Sequence, residues 1–517
     1  VAILVLLSVC AQAQTLRFTV LEKESRQPVE LAFVNVYELP NNAIQNTVQT
    51  DVNGIADVRP EKYPCRVEIA LQGYEKYSKE FLTPPINTMP TIMLTKKFSS
   101  LNEVVVTGVA QPVRMKDALS SYRVIPRAMI QAQGAVTLDD AFKTQLNINI
   151  AGEPLLGSSM RMQGLSGDKI KILIDGMPVN GREAGNINLG QINMNNVERI
   201  EVVQGPMSVA YGADALGGVV NIITRREHKK FGVRLNGYYE SVGKYNGDGS
   251  ITYQLKNRHQ FTVGGGRNFF GGYENIDVPI SYRNTTLITE RCFYFKPNEQ
   301  YIGNFAYSYT APSQFKINFA SDFLKEKTTN KGDARAFDPF QGSYAFDEYY
   351  YTTRSQNRLS LQGKAGKKGN WQMQNNYALY YRIRKNVKTD LTTMQETFLP
   401  SLTQDTTRFQ DITSRGTYSN NVGLLNYSVG YDVNMEYARS LKVAGFDKTI
   451  QDYALFTTLS YAVIKDRLTA QAGLRGSYNT TYNTPAIPSV NLLYTPAKNV
   501  QIRGSYAKGY RAPALKE

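Results

Sequence analysis

The chain has 517 residues, a formal net charge of +15 and a mean hydropathy of −0.36. That length allows several domains, and beyond the first residues no run of about eighteen apolar residues is present to cross a membrane as a helix. Two histidines and three cysteines (Cys10, Cys65, Cys292) without metal-ligand spacing point away from a metal centre, and basic residues scattered over turns and strand faces point away from nucleic acid.

Residues 1–13 read as a secretory signal: Val1 to Val9 is almost wholly apolar, and Ala11-Gln12-Ala13 gives the small-x-small cleavage pattern. No basic segment precedes it, so a truncated start is expected. Leu7-Ser8-Val9-Cys10 offers lipidation of Cys10 as the alternative, but Val9 stands where a small residue is wanted, and cleavage near Ala13 is preferred. A Cys65–Cys292 disulfide would join two separate domains, so free thiols are expected.

Residues 15–95 read as a small all-β domain. Leu16 to Val20 alternates, Ala32 to Tyr37 is a second strand, a turn follows at Asp51 to Gly54, and Arg66 to Leu71 leads into Gly73-Tyr74. The spacing of Pro28, Asn35, Thr50-Asp51, Gly54 and Gly73-Tyr74 resembles the carboxypeptidase-regulatory-like β-sandwich. The region has no histidine, so a structural or docking role is expected rather than peptidase chemistry.

A connector, Thr83 to Pro90, and a short strand, Thr91 to Leu94, precede Leu101-Asn102-Glu103-Val104-Val105-Val106-Thr107-Gly108. This extended β-branched run beside glycine can add to the sheet edge of another protein or serve as an ordinary core strand. Its position between a linker and the next domain favours the first reading, and residues 101–108 resemble a TonB box.

Residues 110–226 form the next domain. Thr137 caps a short helix that begins Leu138-Asp139-Asp140, and Lys171 to Val179 is a strand entering a turn at Asp175-Gly176. Ile200 to Val203 is a strand, Gly205-Pro206 a turn, Tyr211-Gly212 a break, Gly217-Gly218 a tight bend and Val219 to Thr224 a closing strand. Glycines this dense beside short strands suit a sheet that must fit inside something else. Two stretches, Arg161 to Val179 (with Gly164) and Val197 to Thr224, closely resemble the plug domain of TonB-dependent outer-membrane receptors. The regulatory-like module is often appended to such receptors in Bacteroidetes. The resemblance implies that Glu103, Val104, Val105, Val106 and Thr107 bind a TonB-type partner. It also implies that Arg161 and Arg199 form ion pairs with barrel-wall carboxylates; Gln163 stands where the family usually has arginine, with Arg161 two residues earlier on the same strand face.

From 227 to 517 the pattern becomes long alternating strands: Trp371 to Tyr381, Tyr453 to Val463, Leu468 to Tyr478, and Val490 to Tyr494 returning as Val500 to Tyr506. With 34 tyrosines, these suit a transmembrane antiparallel β-barrel with aromatic girdles. The whole chain is thus expected to be mainly β. Barrels that hold a plug have about 22 strands, whereas this region supplies only about 12 to 14. Tyr510-Arg511-Ala512-Pro513 resembles an internal strand motif of siderophore, haem and cobalamin receptors, so a partial barrel is expected.

The function implied is active uptake of a scarce ligand across the outer membrane of a Gram-negative, Bacteroidetes-like bacterium, without catalysis or cofactor. Ser166 has no histidine in the plug to activate it. His228 lies at the plug–barrel junction and His259 beside the turn Lys256-Asn257-Arg258, neither facing outward, which favours a ferric siderophore over haem. A loop from Lys325 to Thr353 would offer Tyr344, Tyr349 and Tyr350 to the ligand. Alternatives are a haem or cobalamin receptor, a starch-utilisation-type oligosaccharide importer, and a surface adhesin. Outer-membrane lipid completes the expected partners.

Overall fold

The computed structural model describes residues 15–510 except 24–25, 31, 72–73, 84–89, 96–103, 106, 108–112, 154–156, 184, 227–229, 257, 274–279, 283–284, 288–290, 339–341, 367, 401–403, 444, 466 and 498–499. The signal segment with Cys10, most of the run 101–108, and His228 therefore lie outside the described residues. The chain divides into two units, residues 1–103 and 104–517.

In the first unit Leu16, Phe18 and Val20 alternate inward along Leu16–Glu22. That strand lies between Ile55–Val58, antiparallel to it, and Thr91–Leu94, parallel to it. A second sheet, in the order Ile44–Gln49, Phe33–Glu38, Cys65–Ala70, Tyr77–Phe81, presents Val34, Val36, Val67 and Ile69 to the same core. The arrangement is a two-sheet sandwich. Its sequence signature is scaffolding: Thr50 Oγ1 donates to Val29 O at 2.6 Å and accepts from Ala32 N at 2.9 Å. Asp51 accepts from the amides of Asn53 and Ile55 at 2.9 and 2.8 Å, an Asx turn in the loop. Cys65 is a free, fully buried thiol, and burial pushes its pKa up.

The second unit holds two layers. Its inner part is a five-stranded sheet in the order Ser121–Pro126, Val197–Gln204, Gly218–Thr224, Ile170–Ile174, Met177–Pro178. Ile125, Ile200, Val202, Val220 and Ile222 pack one face against Leu138, Phe142 and Met162 in the larger core. Leu173, Val203, Tyr211 and Val219 form a smaller core on the other face. The Leu138–Phe142 helix starts at a capping box made by Thr137 and Asp140.

Around this runs a fifteen-stranded sheet, antiparallel throughout, from Phe231–Glu240 to Val500–Ala507, with Arg335–Asp338 and Glu396–Phe398 off its main path. Its connections are short at one end (256–258, 311–315, 366–368, 423–424, 465–467) and mostly longer at the other (271–297, 331–341, 391–404, 440–446, 480–486). Outward positions are apolar and exposed, as at Leu455, Leu459, Tyr461 and Val463, while the opposite face of that strand mixes Asp452, Thr458 and Ser460 with Ala454 and Phe456. The expected hairpins form, with Val490 opposite Tyr506 and Tyr494 opposite Ile502. No helix among the described residues is long and apolar enough to cross a membrane.

The expected loop from Lys325 to Thr353 is corrected. Lys316–Asn330 and Gly342–Ala365 are strands, and only 331–341 connects them. Tyrosines and β-branched residues on both faces of this stretch hide the period-two alternation that marks a strand.

Candidate functional site

Glu201 and Asn221 are cross-strand partners on the small-core face of the inner sheet. Both reach Thr107. Glu201 Oε2 accepts from the Thr107 amide at 2.9 Å and its Oγ1 at 2.6 Å, and Asn221 Nδ2 donates to Thr107 Oγ1 at 2.8 Å. Tyr122 OH donates to Thr107 O at 2.5 Å. Glu201 and Thr107 are both 0% exposed, so this is a buried, well-satisfied polar node. Burial raises the Tyr122 pKa, with Tyr211 and Glu201 nearby adding to it, so the hydroxyl stays a donor. Upstream, Val104–Val105 pairs antiparallel with Val113–Arg114. Glu103 and Val106 lie outside the described residues. Thr107, the last residue of the run expected to bind the partner, has its backbone and side chain held by the inner sheet.

Among the described residues Arg199 forms its ion pair with Glu201 on its own strand, at 2.7 Å, rather than with a wall carboxylate. Arg161 is exposed on Gly157–Met162 and forms no ion pair with a described residue. The polarity is instead reversed, with arginines on the wall and acceptors on the plug. Arg354 Nη1 donates to Asn180 O and Nε to Gln191 Oε1, each at 2.7 Å. Arg358 lies 3.5 Å from Asp175 and 2.6 Å from Asp322, and Arg382 lies 3.5 Å from Glu183. Gln356 donates to Pro178 O at 3.1 Å, Gln374 to Asp175 O at 2.9 Å and Gln300 to Gly190 O at 2.9 Å. The physical reason is geometry: long donors projecting from a stiff strand reach the carbonyls and carboxylates that tight turns present. Arg354, Gln356 and Arg358, spaced by two, were the available sequence signal for this face.

Of the expected turn residues, Gly164, Asp175 and Gly176 lie in turns, Gly205 and Gly217 in bends, and Gly218 opens a strand. Asp175 and Gly176 both have positive φ, 51° and 85°, as a two-residue hairpin of the mirror-image type requires. Gly164, Gly205, Gly212 and Gly218 are also in the positive-φ region. Gly217 has no positive φ, but its Cα packs so closely that an added Cβ would lie 3.0 Å from Leu165. Pro206 follows Gly205 outside any strand.

The three tyrosines proposed for ligand do not form one surface. Tyr350 is 6% exposed on the lumenal face beneath Arg382 and Arg384. Tyr344 lies under Lys388, and Tyr349, of opposite parity to both, donates to Glu396 at 2.8 Å. His259 begins a strand at the short-turn end, 3.0 Å from Tyr307 OH. Cys292, in the 271–297 connection, donates to Lys331 O at 3.2 Å, and burial together with Asp333 pushes its pKa up to about 12.

Two of the cavities between plug and wall are large. The one towards the long loops, about 710 Å³, is bordered by Asp411, Asn434, Glu436 and Asp452 of the wall and by plug turns at Gly167 and Arg182. The other, about 740 Å³, is bordered by Arg199, Arg225, Thr417, Ser428 and Thr458. Hydrogen-bonding side chains line both, and no group of carboxylates, thiols or imidazoles among the described residues is arranged to hold a metal ion.

The family model for the TonB-dependent receptor plug domain matches residues 114–219, and that for the TonB-dependent receptor-like β-barrel matches 238–517. Among solved structures, a mutant ferric enterobactin receptor from Pseudomonas aeruginosa in complex with enterobactin superimposes with a TM-score of 0.61 at 17% identity, over 76% of this chain and 63% of that one. The siderophore receptor PirA from Acinetobacter baumannii gives 0.61 at 16%, over 77% and 62%. The ferric-catecholate import receptor Fiu from E. coli gives 0.58 at 12%, over 80% and 73%. The chain therefore spans less than two thirds of the length of the first two. At these identities the likeness is one of fold.

Proposed function

Because the chain belongs to the TonB-dependent receptor family, we propose that it takes up a ferric siderophore across the outer membrane, driven by a TonB-type energy-coupling protein. The observation that carries this reading is the plug itself: a sheet seated on the lumenal wall by Arg354, Arg358 and Arg382, with an extended run entering it at Thr107. Such a plug blocks passive flow, so passage needs work. The run ending at Thr107 is where a partner strand would grip, by backbone pairing. The ligand would enter at the long-loop end, which faces outward in barrels of this kind.

An iron chelate is favoured because the solved structures of similar fold are, by name, siderophore and ferric-catecholate receptors, and because His259 lies at the opposite end from ligand entry. In this reading residues 15–95 are a docking module of the Bacteroidetes type. The test is uptake of radiolabelled ferric catecholate by iron-starved cells with and without the gene. Loss of uptake on deletion, with transcript rising on iron limitation, supports the reading. Transcript that ignores iron and follows glycan supply would overturn the siderophore assignment.

A further inference from the structure

The two cavities share four bordering residues: Gly176, Met177 and Tyr211 of the plug, and Arg415 of the wall. Wall register explains why they meet there. Moving from the long-loop end, successive lumenal rows read Asp411–Glu436, Thr413–Asn434, Arg415–Asp432 and Thr417–Gly430, with Phe456 opposite Gly430. The first two rows border the upper cavity, and Thr417 and Phe456 border the lower. Arg415 is thus the boundary. Its guanidinium lies 4.6 Å from the Tyr211 ring centroid and 5.3 Å from that of Phe456, with Asp432 at 3.9 Å. Gly430 makes room for this, since a Cβ there would lie 2.5 Å from Phe456 Cζ. Tyr211 is pinned from the plug side, where Lys171 Nζ donates to its carbonyl at 2.8 Å.

We infer that the ligand descends between the plug and the Asp405–Ile464 wall, and that Arg415, held between Tyr211 and Phe456, is the gate between an outer and an inner chamber. The inference rests on the transport reading above for its direction, but the gate itself is a property of the seam. Each chamber exceeds the roughly 300 Å³ at which small-molecule sites begin, so a ligand can pause on either side. Tyr211 also belongs to the small core that Tyr122 packs against, and Tyr122 holds Thr107. The gate therefore sits beside the point at which the coupling run enters the plug. Opening it requires displacing the Ser208–Tyr211 turn rather than the whole sheet.

The test uses full-length receptor in cells lacking the coupling protein, in a Cys292→Ser background, with a membrane-impermeant methanethiosulfonate added outside. Asn434→Cys reports the outer chamber and Thr417→Cys the inner one. With Arg415 intact, Asn434→Cys should react and Thr417→Cys should not. Adding Arg415→Ala should raise Thr417→Cys labelling at least about tenfold, the change expected for loss of a contact worth roughly 1.4 kcal/mol. Tyr211→Ala, which removes the other half of the contact, should do the same if one variant folds poorly. Labelling of Thr417→Cys with the gate intact, failure of Asn434→Cys to label, or no rise in either gate variant would each overturn the inference. None of these readouts involves an iron chelate, so a wrong ligand assignment would show only in the uptake assay.

Discussion

Glu201 carries more of the plug's inner order than any arginine the sequence singled out. One carboxylate oxygen takes both donors of Thr107 while the other takes Arg199. Removing a buried partner of this kind strands the rest, typically at about 3–5 kcal/mol. Glu201→Ala should therefore free residues 104–107 and make them accessible to limited proteolysis at low protease, with barrel extraction behaviour unchanged; a cleavage pattern like that of the parent would mean the node is incidental. At the other end of the chain, Arg17 reaches Asp57 through two hydrogen bonds of 2.6 and 2.8 Å, which hold the Asp57 carboxyl below its usual pKa. A folded pKa that is depressed gives stability fully present above the unfolded value of about 3.9 and lost as pH falls through the folded one. Both side chains are exposed, so the effect is small. Asp57→Asn should lower stability of the first unit at neutral pH and lose that difference in acid, read by denaturant midpoints across pH. A difference that grew on acidification would reverse the sign assigned here.

Among the described residues Val104–Val105 pairs with the two-residue strand Val113–Arg114, a short ladder that a partner can replace. Backbone bonds carry such pairing, so side-chain truncation should matter little and proline much. Val105→Pro should abolish uptake without reducing ligand binding at the cell surface, while Val105→Ala leaves uptake largely intact. Equal loss of binding and uptake in the proline variant would make this a structural strand. At this scale the sequence was most readable where one residue type forces one conformation. Asp175-Gly176, Gly205-Pro206 and Thr137 with Asp140 all sit at the turns and cap expected of them. It was least readable where both faces of a strand carry similar residues. Tyr349, Tyr350 and Tyr351 read as loop for that reason, although they alternate between the two faces of a 24-residue strand.

For the molecule as a whole, the passage from plug to barrel was legible because each part writes its own period and glycine density into the sequence. The seat between plug and wall was not. It joins residues some 170 positions apart, as Arg354 to Asn180 does, and nothing local in either segment announces the other. What the wall grips has a consequence for how such molecules can change. Arg354, Gln356, Gln374 and Gln300 hold carbonyl oxygens of Asn180, Pro178, Asp175 and Gly190, and every residue type supplies a carbonyl. The lumen therefore recognises the path of the plug's main chain more than its side chains. A plug from a different receptor, folded along the same path, should dock in this wall despite little shared sequence, which leaves the exposed turns free to drift towards new cargo while the seat stays the same.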